Sequence, residues 1–294
     1  MKIPDITIQQ LLEAGVHFGH HKKRWNPKME KYIFGTRNNI HIIDLRITLP
    51  LLNKSLEALF NIISKSGKIL FVGTKKQSSV LVETVANETN NYFITKRWFG
   101  GTLTNWKTIS NSIKRLESIE KRIHEEQQKL SKKELLTLNR EKEKLNNAIG
   151  GIRNMSNLPN LLIVLDTVKD RIAVKEAVKL NIPVMGIIDT NSDPDLINFP
   201  IPGNDDAIRS IDLYINLFKE TILNAKKTIK ENIDIGESIN PPKENISSNE
   251  KKNSSNEKKN SSSEKKKSNF KKIKKVDLGK NKTSIKKSTN TNKK

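Results

Sequence analysis

Short, mainly apolar runs, each followed by a helical pattern, restrict the fold of this chain more than any other feature. The five runs lie at residues 40–45, 68–72, 92–95, 161–166 and 184–189. Runs without polar alternation are typical of strands buried on both faces, as in a parallel sheet covered by helices. Apolar residues recur at helical spacing between and after these runs, at 51–64, 77–88, 169–180 and from about 204 toward 230. The alternation predicts an α/β fold, with a parallel sheet flanked by helices.

A helical hairpin is predicted between residues 105 and 149, where the strand pattern stops. Neither proline nor glycine occurs from Asn105 to Ala148, and dense charge surrounds two apolar stripes. The stripes consist of Ile109, Ile113, Leu116 and Ile123, and of Leu135, Leu138, Leu145 and Ile149. Ser131 to Glu134 has the form of a capping box that opens the second helix. We expect an antiparallel, coiled-coil arm inserted into an α/β domain formed by residues 1–104 and 150–232.

Residues 233–294 form a low-complexity segment rich in lysine, serine and asparagine. From residue 241 onward, 18 lysines face 4 glutamates and 1 aspartate, which gives a net charge of +13. A seven-residue unit, Ser247–Asn253, recurs there, but none of its positions is apolar, so no coiled-coil seam can form. Because it has so few large apolar side chains, the segment is predicted to be disordered. It is either a non-specific RNA-binding arm or a solvated extension without a role of its own.

The net charge of the whole chain, +22 with a pI of about 9.9, favours nucleic acid as the partner. A membrane partner is disfavoured, since no apolar run approaches the ~18 residues that span a bilayer. The N-terminus has no apolar signal core, which predicts that the protein is not exported. Cysteine is absent, which fits a reducing compartment. We therefore expect a soluble, cytoplasmic protein.

The motifs of nucleotide-dependent and hydrolytic enzymes are missing. The chain contains no Gly-x-Gly-x-x-Gly, no phosphate loop and no Gly-x-Ser-x-Gly. The nearest candidate is Gly73–Gln77, where Lys75 and Lys76 follow a strand and precede a helix. This turn could hold one backbone phosphate of RNA, or it could be a plain strand-to-helix turn with solvated lysines. The prediction is a protein that is not an enzyme and has no small-molecule substrate.

Two polar clusters could bind a metal ion, although no cofactor is required. His17, His20 and His21 lie near the N-terminus, and an aspartate-rich run starts at Asp189. A calcium loop is disfavoured, because proline stands where that loop needs glycine and the distal glutamate is missing. A mixed site of His20, Asp189 and Asp205, or with Asp206, would suit structural zinc or magnesium. It requires the N-terminal segment to fold over the carboxyl ends of the strands. Turn formation, helix capping and packing explain these residues equally well.

Six long runs of unusual composition resemble the bacterial small-subunit ribosomal protein S2 family. They are LEAGVHFGH at 12–20, RWNPKM at 24–29, YIFGTRN at 32–38, ILFVGTKKQ at 69–77, RWFGGTLTNW at 97–106, and the aspartate-rich 182–209. The match is collinear from about residue 5 to residue 230. The resemblance implies a flavodoxin-like sheet with an inserted hairpin, and a structural, non-catalytic constituent of the cytoplasmic ribosome. It also implies binding of small-subunit rRNA, support of subunit assembly, and contacts with neighbouring proteins, including the docking of protein S1, which captures mRNA.

Basic and amide groups beside aromatic or glycine residues are the predicted RNA contacts, because they combine phosphate binding with stacking on unpaired bases. The candidates are Lys23, Arg24, Trp25, Lys28, Arg37, Asn38, Lys75, Lys76, Lys96, Arg97, Trp98, Lys107, Lys114 and Arg115. Packing in the core is the alternative for the tryptophans. Two other functions stay open: an α/β enzyme acting on a nucleotide or phosphosugar, and a free mRNA-binding regulator.

Overall fold

The computed structural model describes residues 3–125 and 130–238, with side chains up to residue 229. The strands are β1 (Phe18–His21), β2 (Ile33–Arg37), β3 (Ile40–Ile43), β4 (Ile69–Val72), β5 (Tyr92–Ile94), β6 (Leu161–Val164), β7 (Val184–Ile188) and β8 (Phe199–Pro202). The helices are α1 (Ile8–Glu13), α2 (Leu45–Ser64), α3 (Lys76–Glu88), α4 (Trp106–Glu125), α5 (Lys132–Ile149), α6 (Arg171–Lys179) and α7 (Ile208–Ser238). The predicted disorder of the C-terminal segment falls, from residue 239 on, outside the described residues.

Five parallel strands form the central sheet, in the order β5-β4-β6-β7-β8. Counted along the chain within this sheet, the order is 2-1-3-4-5, which is the flavodoxin-like arrangement. β4 to β7 coincide with four of the apolar runs, and every residue of β4, β6 and β7 is buried. The predicted α/β fold class is confirmed. The strand order reverses between β4 and β6, so a crevice is expected at their carboxyl ends.

The apolar run at 40–45 is not part of the parallel sheet, contrary to the prediction. Its strand, β3, lies at the centre of a separate antiparallel sheet in the order β1-β3-β2. Apolar periodicity shows that a strand is buried, but it does not specify which sheet the strand joins. The fifth parallel strand is β8, which the sequence hid because Pro200 and Pro202 fall within it. Proline is tolerated there because β8 is an edge strand.

Two apolar layers cover the central sheet. On one face, Phe71 of β4 packs with Leu52 of α2 and with Tyr214 and Phe218 of α7. On the other face, neighbouring β4 residues pack against α6 and the base of α4 and α5. The alternation of β4 side chains between the two layers explains why its apolar run is uninterrupted.

The helices α4 and α5 pack side by side between β5 and β6, at the predicted place of insertion. Ile113 and Leu116 are buried along the seam of α4. The capping box is confirmed: the Glu134 backbone N–H donates to Ser131 Oγ at 3.3 Å, and the Ser131 N–H donates to Glu134 Oε2 at 3.0 Å.

Asp170 links the start of α6 to the turn after β4. Thr74 Oγ1 donates a hydrogen bond of 2.9 Å to Asp170 Oδ1, and only 3% of the residue is exposed. Burial raises the pKa of Asp170 to about 6, because the hydrogen bonds from Thr74 offset the loss of hydration only in part. The folded protein therefore holds this proton more tightly than the unfolded chain does.

Replacing Asp170 with Asn should stabilise the protein at neutral pH. The raised pKa costs folding free energy increasingly from about pH 4 to about pH 6, and the cost is constant above that range. Asn keeps an acceptor for Thr74 and cannot ionise, so D170N should gain about 1–2 kcal/mol at pH 7.5 and almost nothing at pH 4. Urea unfolding at both pH values measures this, with the exposed Asp5→Asn as control. A gain independent of pH would contradict the explanation.

Candidate functional site

The N-terminal segment, residues 16–43, lies across the carboxyl end of β7. Thr190 anchors it: its Oγ1 accepts from the His20 N–H at 2.9 Å, and its carbonyl accepts from the Asn26 N–H at 2.7 Å. A Cβ on Gly19 would lie 2.6 Å from Thr190 Cγ2, so glycine is needed for this close approach. The fold-over that the metal prediction required is therefore present.

The three predicted metal ligands come together at this place. His20 Nδ1 lies 2.9 Å from Asp189 Oδ2, and ligand atoms of His20, Asp189 and Asp205 all lie within 4.8 Å of one another. Asp206 Oδ2 is 3.4 Å from His20 Nε2. The hydrogen bond to Asp189 raises the pKa of His20, more than burial lowers it. Burial, together with the charge of Asp189, raises the pKa of Asp205 to about 7.

Asp205 has an incomplete set of partners among the described residues. It is 1% exposed, and neither carboxylate oxygen accepts a hydrogen bond of good geometry. Its Oδ1 has an ion-pair partner, the Lys75 ammonium at 2.9 Å, whereas Oδ2 has none among the described residues. A buried carboxylate oxygen without a donor is costly, so a cation would stabilise it.

The other two histidines of the N-terminal cluster lie apart from this site. The His17 ring packs on Phe18, with 4.0 Å between the ring centroids, and His21 Nδ1 accepts a hydrogen bond from the Lys23 backbone N–H.

Lys75 fills the crevice between β4 and β6. Its Nζ lies 3.0 Å from Asp166 Oδ2 and 2.7 Å from Asp206 Oδ1, besides the contact with Asp205. Burial alone would lower the pKa of Lys75, but these carboxylates outweigh it and the pKa is raised. The six residues His20, Lys75, Asp166, Asp189, Asp205 and Asp206 are called the strand-edge cluster. Because the carboxylates of the cluster neutralise Lys75, it is not available to an RNA phosphate. Of the two lysines in this turn, only Lys76 is exposed.

Exposed basic groups lie on the same N-terminal segment as Trp25. Lys23, Arg24 and Arg37 are exposed and have no ion-pair partner among the described residues, and Trp25 is 37% exposed. The Lys22 N–H donates to the Asn39 carbonyl at 2.9 Å, which brings the two stretches together. Asn38 and Asn39 have φ values of 49° and 62°, as a two-residue hairpin turn between β2 and β3 requires. This set, residues 22–25 with 37 and 38, is called the basic N-terminal surface.

The remaining predicted contacts divide into free and paired groups. Lys96, Arg97, Lys107 and Lys114 are exposed and have no ion-pair partner within the described ranges. Lys28, by contrast, pairs with Asp193 at 3.0 Å and with Asp195 at 2.5 Å. Arg115 pairs with Glu141 across the arm.

Trp98 belongs to the core and not to an RNA-contacting surface. It is 6% exposed, and its Nε1–H donates to Glu176 Oε1 at 3.0 Å. The same carboxylate accepts from the backbone N–H groups of Gly101, Leu103 and Thr104 at 2.7, 2.9 and 3.0 Å, and from the Thr104 hydroxyl at 3.1 Å. Burial would raise the pKa of Glu176, but these hydrogen bonds lower it. Glu176 therefore fixes the loop that follows Lys96 and Arg97.

Sequence reasoning missed Glu176, Asp166 and Thr190. Glu176 is a single acidic residue on an amphipathic helix, and no local pattern distinguishes it. Asp166 and Thr190 each follow a buried strand. That position could have placed them in the site, because the carboxyl ends of parallel strands meet at one edge of the sheet.

The fold and these contacts define a flavodoxin-like α/β protein whose ligand crevice is filled by its own side chains, with unpaired basic groups outside it. A family model described as Ribosomal protein S2 matches residues 11–225. The small ribosomal subunit protein uS2 of Bartonella henselae is 51% identical over 251 residues, covering 85% of this chain and 98% of the relative. Those of Mesorhizobium japonicum and Agrobacterium fabrum are 52% and 50% identical, over 83% and 82% of this chain and 95% and 96% of theirs.

The chain belongs to the ribosomal protein S2 family, whose members are structural components of the ribosome and not enzymes. The family predicted from the six sequence runs is confirmed. Among the described residues, no helix combines the length and the apolar character needed to cross a membrane.

Replacing Glu176 with Gln should destabilise the protein and loosen the loop at residues 98–104. An amide offers one acceptor oxygen in place of two, so at least two buried donors lose their partner, at a cost of about 2–4 kcal/mol. Because the pKa of Glu176 is lowered in the folded state, the difference from wild type should shrink as the pH falls below its ordinary value of 4.5. Denaturant unfolding measures the loss. Hydrogen exchange at Gly101, Leu103 and Thr104 tests whether the loop is responsible.

The exposed Glu57→Gln is the matched control for that experiment. If E176Q unfolded at the same denaturant concentration as this control, Glu176 would not be the anchor of the loop.

Proposed function

We propose that this protein is a structural constituent of the small ribosomal subunit that binds small-subunit rRNA through the basic N-terminal surface. The observation that carries the proposal is a group of exposed cations without an ion pair among the described residues. They lie on the same segment as the exposed ring of Trp25, in a chain of the S2 family. Unpaired cations bind phosphates without first breaking an internal ion pair. An exposed indole can stack on an unpaired base.

The position of this surface on the fold supports the proposal. The N-terminal segment is fixed to the sheet through Thr190, so its basic groups are held in a defined arrangement. A fixed arrangement lowers the entropy cost of docking on structured RNA. Lys96 and Arg97 offer a second contact, on the loop that Glu176 holds. Lys107 and Lys114 continue the exposed basic groups along α4 of the arm. Their contacts with rRNA would support subunit assembly.

The proposal also includes the docking of protein S1 and of other neighbouring proteins. This docking is supported by the resemblance to the S2 family and by exposed apolar side chains on the antiparallel sheet. Phe18 is 47% exposed, and Phe34 is 68% exposed. Exposed apolar side chains of this size are available for a contact with another protein.

Loss of two arginines of the basic N-terminal surface should weaken rRNA binding strongly. R24A/R37A removes two phosphate contacts, so affinity for a small-subunit rRNA transcript should fall about 10- to 100-fold, and the slope of log affinity against log salt should decrease by about 2. K54A/K65A, which removes two exposed cations elsewhere, is the charge-matched control. Filter binding over a salt series measures both quantities.

Sedimentation of lysate on sucrose gradients tests the same proposal in its natural setting. The wild-type protein should travel with small subunits, and R24A/R37A should be depleted from them more than a variant lacking residues 241–294. Wild-type protein that stayed at the top of a high-magnesium gradient would exclude the ribosomal function and favour a free enzyme or regulator.

We also propose that His20, Asp189 and Asp205 hold a structural divalent cation, zinc or magnesium. The donor set fits, because a buried carboxylate oxygen lacks a partner and a histidine faces it. The imidazole ligand favours zinc, since magnesium prefers oxygen ligands alone. A bound cation would neutralise the carboxylates and tie the N-terminal segment to the sheet.

Zinc added to metal-free protein should bind in one equivalent and raise the thermal stability. At a zinc concentration about 100-fold above the dissociation constant, the gain is about 2.7 kcal/mol. H20A and D205N should lose both effects, whereas the control D212N should keep them. Calorimetric titration with Zn²⁺ and with Mg²⁺, followed by thermal unfolding, provides the measurement. Equal zinc binding by wild type and H20A would rule out this site.

A further inference from the structure

A polar cleft lies at the base of the arm, apart from the strand-edge cluster and the basic N-terminal surface. Its volume is about 430 Å³, within the range of pockets that hold small ligands. α3 contributes Glu83 and Asn87, and the segment after β5 contributes Lys96. The last turn of α5 contributes Asn146 and Asn147. The cleft therefore opens next to the carboxyl end of an edge strand.

The backbone geometry of the cleft depends on one glycine. A Cβ on Gly151 would lie 2.2 Å from the carbonyl oxygen of Phe93, so only glycine lets the chain after α5 approach β5 this closely. The close approach places the end of α5 opposite α3. The cleft is thus a fixed feature of the way in which the arm joins the sheet.

The polar side chains of the cleft are unused inside the protein. Those of Glu83, Asn87, Lys96, Asn146 and Asn147 form no hydrogen bond or ion pair with any other described residue. This contrasts with Lys75, Lys28 and Glu176, whose charges are matched internally. Five polar groups that converge on one cleft and lack internal partners are available to a ligand.

The chemistry of these groups matches a nucleotide better than a peptide. Three amides offer both donors and acceptors, which is what the edge of a base requires, and a carboxylate can accept from an exocyclic amino group. One ammonium group suits one phosphate. An unpaired base fits best. In an A-form helix the Watson–Crick edge is used, the major groove is too deep and narrow to read, and the shallow minor groove is recognised mostly by its shape.

We propose that this cleft binds one unpaired nucleotide of RNA, with its base edge read by Asn87, Asn146 and Asn147 and its phosphate held by Lys96. The inference rests on the proposed function, since the RNA is the small-subunit rRNA. Arg97 is the next residue after Lys96, is exposed, and has no ion pair among the described residues, so it extends the contact to a neighbouring phosphate. The cleft adds readout of a base edge to the phosphate contacts and base stacking proposed for the basic N-terminal surface.

The test compares two triple variants of the full-length protein. N87A/N146A/N147A removes the three amides, and N53A/N61A/N216A removes three exposed amides at other sites. All six positions lie in helices, where alanine is favoured over asparagine, so both variants should fold. The probe is a small-subunit rRNA transcript, measured by filter binding over a salt series and by base-specific chemical probing.

The cleft variant should bind the transcript about 10-fold more weakly than the control at every salt concentration, with an unchanged salt slope, because amides release no counterions. One unpaired nucleotide should lose its protection. K96A should reduce the salt slope by about 1.

Wild-type affinity and wild-type protections in N87A/N146A/N147A would overturn the inference. If R24A/R37A still bound weakly in that case, the rRNA-binding function would stand and only the cleft would be wrong. Failure of the wild-type protein to bind the transcript would overturn both the rRNA-binding function and the nucleotide site in the cleft. Unchanged rRNA affinity, with loss of a neighbouring protein from reconstituted subunits, would identify a protein segment as the occupant and would also overturn the inference.

Discussion

The ammonium group of Lys75 holds the carboxyl edge of the sheet together. It follows β4, pairs with Asp166 after β6, and pairs with Asp205 and Asp206 ahead of α7. Without this cation, carboxylates from separate elements would repel one another in a poorly hydrated crevice, where charge interactions are only weakly screened. The charge balance at this edge therefore depends on one lysine, which also links the edge to the residues ahead of α7.

Side chains of the protein itself occupy the crevice in which flavodoxin-like folds hold a ligand. In such folds the ligand enters where the strand order reverses, which is here between β4 and β6. Lys75 and its carboxylates occupy that position, and the N-terminal segment lies over the neighbouring end of β7. The sheet acts as a rigid support, and the groups left for binding lie on the segments attached to it, namely the hairpin of β2 and β3, the loop after β5 and the arm.

Local sequence patterns predicted most of the fold, and their failures have a common cause. The apolar runs identified β4 to β7, and the capping box identified α5. The ligand chemistry of zinc grouped His20 with Asp189 and Asp205, which the structure brings together. The patterns failed where the outcome depends on a distant partner. β3 joined another sheet, and β8 was hidden by its prolines, which only an edge position tolerates. Trp98 was assigned to RNA because its partner, Glu176, is 78 residues away.

Whether a distant partner lies within reach also decides the role of each basic residue, and net charge alone does not show this. Of the +22 carried by the chain, +13 lies beyond residue 240, outside the described residues. Within the α/β body, Lys75 and Lys28 are neutralised by aspartates that follow other strands, so their charges are matched inside the protein. Arg24, Arg37 and Arg97 have no such partner among the described residues. A lysine or arginine near a strand end can take either role, and what decides is whether the fold brings a carboxylate within reach. Under the proposed function, the binding surface consists of the basic groups that have no carboxylate partner among the described residues.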